Sequence, residues 1–66
     1  MDASAKRIAE AEARIARQEQ IIAEMDRDHH PRAAAQAREV LETLRHTLRV
    51  MKEGAELRTR LFLLDE

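Results

Sequence analysis

A chain of 66 residues with 44% hydrophobic and 38% charged side chains, one glycine, one proline and no cysteine is neither disordered nor disulfide-stapled, and its composition suits helix throughout. Twelve basic residues balance thirteen acidic ones to a net charge of −1, so no basic field gathers polyanions, and Phe62 alone gives nucleic-acid bases no stacking platform. Without a membrane-length apolar run or a signal peptide, the expectation is one small all-α cytoplasmic domain that self-associates because it is too short to bury a large core alone.

The first helix is expected over about 3–27, capped by Asp2 or Ser4, whose side-chain oxygens can accept from the first turn's unpaired N–H groups. Its apolar seam of Ile8, Ala11, Ile15, Ile22 and Met25 advances in alternating steps of three and four. Gln18 fills the one slot where another apolar residue belongs, and is read as sitting at a wet edge rather than as a buried amide that fixes register.

The break falls at Asp26-Arg27-Asp28-His29-His30-Pro31-Arg32. Proline lacks an N–H, fixes its φ and pushes the preceding residue out of helical conformation, so Pro31 can open a helix but not continue one. A turn over 28–30 and a second helix over about 31–61 follow. That helix repeats the rhythm at Ala34, Ala37, Leu41, Leu44, Leu48, Met51 and Ala55, and Gly54 could end it in a left-handed cap or merely weaken it, with continuation favoured because good helix formers follow.

Two seams of one kind imply an antiparallel, coiled-coil-like hairpin in which Met25 meets Ala34, Ile22 meets Ala37, Gln18 meets Leu41, Ile15 meets Leu44, Ala11 meets Leu48 and Ile8 meets Met51. Glu12, Glu19 and Asp26 would then face Lys52, Arg45 and Arg38, a vote on orientation more than a source of stability. The competing architecture, two continuous helices in parallel, is opposed by Pro31.

Apolar residues off this seam require a further partner. Ile21, Val40, Val50, Leu57, Leu61, Phe62 and Leu64 are the expected interface, used by a homodimer that closes a four-helix bundle or by an unidentified protein partner that binds the C-terminal segment.

His29 and His30 beside Asp26 and Asp28 are the metal candidates, but adjacent residues rarely aim two imidazoles at one point, so a solvated turn without metal is expected. His46 lies roughly 24 Å along the second helix from His30 and cannot complete the set. With no Ser/His/Asp or Cys/His set and no Gly-rich phosphate loop, no catalytic or cofactor-binding residue is expected.

Arg14-Ile15-Ala16-Arg17-Gln18-Glu19-Gln20-Ile21-Ile22, then Asp26-Arg27-Asp28-His29, then Ala37, Val40-Leu41 and Leu44-Arg45-His46 resemble small uncharacterised α-proteobacterial helical-hairpin proteins over residues 8–49. The resemblance implies a bacterial cytosolic protein without an activity, draws attention to Gln18 and His46, and departs in lacking the turn glycine such proteins commonly carry. The functional expectation is a non-enzymatic oligomerisation or protein–protein interaction module, such as a small regulatory adaptor. The competing class is a metal- or pH-responsive protein using the His29/His30 turn, since imidazole titrates near neutral pH.

Overall fold

The computed structural model describes residues 3–64 as two helices, α1 (Ala3–Arg27) and α2 (Pro31–Leu64), folded back on each other as an antiparallel hairpin. Asp2, one of the two expected caps, lies outside the described residues. Ser4, the other, falls within the first turn of α1, where its hydroxyl accepts from Arg58 Nη2 at 2.9 Å. That contact ties the start of α1 to α2 beside Ala55, in the register expected from the seams.

The turn closes by backbone hydrogen bonding. His30 N–H donates to the Met25 carbonyl at 2.9 Å and His29 N–H to the Asp26 carbonyl at 3.4 Å, while His29 adopts φ 58°. These are the paired bonds of a Schellman cap, with His29 in the left-handed position glycine usually takes. On the other side, Ala34 N–H donates to the His30 carbonyl at 2.9 Å, which places Pro31 at the first helical position, where its missing N–H costs nothing.

Burial is deepest next to this turn. Ala34 is fully buried, and Ile22, Ala37 and Leu41 form the core, with Met25 and Ile15 packed against it. Toward the open end Ile8, Ala11, Leu44, Leu48 and Met51 are only half-buried. Two helices cover one stripe each, and no third layer lies over the rest.

Three sequence expectations are corrected here. Gln18 is not at a wet edge: its Nε2 donates to the Ala37 carbonyl across the seam at 2.9 Å, from a partly buried position. The small side chains of Ala34 and Ala37 expose that stretch of α2 backbone, so the amide can reach it. Of the three expected cross-seam ion pairs, Asp26–Arg38 closes at 2.7 Å, whereas Arg45 turns to Glu42 on its own helix at 4.0 Å, and Glu12 and Lys52 do not pair. Helix α2 runs on through Gly54, the continuation the sequence favours, and it is the expected end near Leu61 that is corrected, since the helix reaches Leu64.

The hairpin measures 57 × 19 × 11 Å, with a radius of gyration of 16.0 Å. A compact chain of this length would have a radius near ~11 Å. The difference reflects helices of 25 and 34 residues lying side by side with nothing packed across them.

Candidate interaction surface

Helix α2 carries a second stripe of its own, beside the α1-facing seam and about 100° around the helix from it. Val40, Val50, Leu57, Leu61 and Leu64 lie along it, from 50% exposed at Val40 to 81% at Leu64. Gly54 continues the same phase between Val50 and Leu57. A side chain added there would meet nothing within 4 Å, so the stripe has an open notch at that level.

Thr43 and Thr47 bridge Val40 to Val50. Each hydroxyl donates to the carbonyl four residues earlier, Thr43 to Glu39 at 3.3 Å and Thr47 to Thr43 at 2.9 Å. With those donors satisfied inside the helix, the threonines can be covered by another surface without an orphaned O–H. Ala33 and Gln36 extend the phase back to the turn. From Ala33 to Leu64 the steps alternate three and four throughout, and no position on the stripe is charged.

The flanks differ. On one side Leu44 and Met51 belong to the seam with α1. On the other Arg32, Glu39, His46, Glu53 and Arg60 recur at seven-residue spacing and are all exposed. An uncharged stripe bordered by a charged row is the pattern by which coiled-coil helices in general select partner and orientation.

Of the residues expected at an interface, Val40, Val50, Leu57, Leu61 and Leu64 share this stripe, Ile21 lies half-buried on α1, and Phe62 departs from the group. Phe62 follows the phase of the α1-facing seam and lines a shallow pocket with Ser4, Ala55, Arg58 and Thr59. Sequence reading passes over Thr43, Thr47 and Gln36 and weighs Gly54 only as a place where the helix ends or is weakened, with continuation favoured. The signal was the unbroken three–four alternation, which a search for large apolar residues does not register.

Asp26 is engaged by Arg38, and among the described residues no three His, Cys, Asp or Glu side chains converge as a ligand set. His46 is an exposed residue of the charged row. Asp26, Arg38, Glu19 and Arg45 rim an open surface groove floored by Ile22 and Leu41. Among the described residues no helix is long and apolar enough to cross a membrane. No family model matches this chain, and neither a curated protein nor a solved structure matches it.

Proposed function

We propose that this chain is a non-enzymatic self-association module: a cytoplasmic helical hairpin that pairs with a second copy into a four-helix bundle and serves as an oligomerisation or protein–protein interaction element. One observation carries the reading. The chain exposes 5702 Å², whereas a compact folded protein of 7.6 kDa exposes about 4,300 Å². The excess of roughly 1,400 Å² per chain is larger than the ~800 Å² that each partner of a standard stable interface buries.

Exposed Val40, Val50, Leu57, Leu61 and Leu64 lie along one stripe of that surface. Burying a Leu or Val side chain stabilises by about 1.5–3 kcal/mol, so two copies that cover Val50, Leu57 and Leu61 on each other gain several kcal/mol before the cost of association. Sedimentation at micromolar concentration is the direct test. A species of twice the 7.6 kDa chain mass is expected, and a monomer persisting at tens of micromolar would refute the proposal. The metal- or pH-responsive alternative draws no support from the turn, where Asp26 already holds Arg38.

A further inference from the structure

We propose that α2 pairs antiparallel with the α2 of a second copy along its whole uncharged stripe, with the two-fold axis passing between Leu48 and Arg49. This rests on the self-association reading above and specifies its register.

Antiparallel helices joined by such a stripe stack in layers, one position of each helix per layer. About this axis the stripe is its own complement. Ala33 lies against Leu64 of the partner subunit, Gln36 against the partner's Leu61 and Val40 against the partner's Leu57. Thr43 then enters the open notch at the partner's Gly54, and Thr47 meets the partner's Val50. The large residues of the C-terminal half each fall on a smaller or thinner one near the other chain's turn. All of these positions are exposed or half-buried in the single hairpin, and both threonine hydroxyls are already satisfied.

The charged row selects this register from the few available, because only slides of a whole heptad keep stripe against stripe. About this axis Glu39 faces the partner's Arg60 and His46 faces the partner's Glu53. Sliding one heptad one way sets Glu39 against the partner's Glu53 and Arg32 against the partner's Arg60. Sliding one heptad the other way sets Glu53 against the partner's Glu53 and strips Ala33 and Gln36 of cover. Two heptads away opposite charges meet again, but a slide one way leaves Gly54, Leu57, Leu61 and Leu64 without partners, and a slide the other way uncovers Ala33, Gln36, Val40 and Thr43. A parallel in-register pair stacks Gly54 on the partner's Gly54 and turns the charged row toward Leu44 and Met51, which α1 already occupies. Only the antiparallel arrangement about Leu48 and Arg49 satisfies both shape and charge.

Because the chain has no cysteine, single-cysteine spin labels report the register cleanly. Ala35 and Glu56 are exposed and off the stripe. At 1.5 Å per residue the axial offset between symmetry-related labels is about 40 Å for Ala35→Cys and about 22 Å for Glu56→Cys. The Ala35→Cys distance is therefore expected to be the longer by roughly 15–20 Å. Equal distances, a reversed order or a difference twice as large overturn the register and leave self-association standing. A monomer in sedimentation overturns both.

A charge cycle gives an independent reading. Glu39→Arg and Arg60→Glu should each weaken dimerisation by about five- to tenfold, since each sets like charges together at two symmetric places. The double variant should recover most of the loss. The two residues stand about 31 Å apart along one helix, so recovery can arise only between subunits, and its absence overturns the proposal.

Discussion

Replacing His29 by glycine should make the protein more stable, although it removes a side chain. His29 holds φ 58°, a conformation that costs most L-residues about 1–2 kcal/mol because Cβ crowds the carbonyl that follows; histidine is among the more tolerant, which puts its cost near the lower figure. Glycine removes that crowding and gives back about 0.5 kcal/mol or somewhat more through the greater freedom of the unfolded chain. The His29 side chain is exposed and makes no hydrogen bond or ion pair, so nothing else is lost. The net gain is up to about 0.5 kcal/mol, a rise of up to about 2–4 °C in Tm for a domain of this size. Helix melting followed by circular dichroism, at one fixed protein concentration so that association does not shift the midpoint, measures it. His29→Val, β-branched at the same position, should move the other way by at least as much. If glycine lowers Tm, or valine leaves it unchanged, the left-handed cap at the turn is wrong.

Gln18→Ala removes the bond to the Ala37 carbonyl and should cost about 0.5–1.5 kcal/mol in urea denaturation, with no orphaned acceptor because that carbonyl keeps its helical bond. Gly54→Ala should raise the stability of the single hairpin by about 1 kcal/mol, read as a higher Tm at a concentration low enough to keep it monomeric, since the added methyl meets nothing within one chain. Truncation after Gly54 removes Leu57, Leu61 and Leu64 from the stripe and should weaken self-association more than a hundredfold in sedimentation, at about 1.5–3 kcal/mol per buried side chain; an unchanged dissociation constant would show that those leucines contribute nothing to it. Calorimetric titration with zinc or nickel should show no stoichiometric binding, because the turn offers no converging ligand set.

The hairpin was legible because its determinants are local. Pro31 can only start a helix, and two seams in matching phase have one economical way to cover each other. The role of Gln18 was not legible, because its reach to the Ala37 carbonyl depends on how closely the helices approach, which Ala34 and Ala37 set from the other helix of the hairpin. Charge pairing was legible only where packing is tight. Asp26 and Arg38 stand beside the buried core and meet, whereas farther along Arg45 finds Glu42 on its own helix instead. Exposed long side chains take the nearer partner, since the gain across a seam is too small to hold them extended. The second stripe on α2 was half legible: its leucines and valines draw attention by size, while Thr43 and Thr47 escape notice and Gly54 reads only as a helix-weakening residue until the unbroken helix puts all three in phase with the rest.

The two stripes of α2 divide the work by composition. The α1-facing seam is small near the turn, at Ala34 and Ala37, and larger beyond, so the single hairpin is firmly packed at one end and half-covered at the other. The outer stripe is graded in the same direction, from Ala33, Gln36 and Thr43 to Leu57, Leu61 and Leu64. A parallel partner would stack bulk on bulk at the open ends and leave a thin, partly polar interface at the turns. Reversal lets each bulky end lie on a thin one and brings a second copy's firmly packed turn alongside the half-covered open end. Cover supplied there stabilises only the folded hairpin, so association and completion of the fold become one equilibrium, governed by concentration.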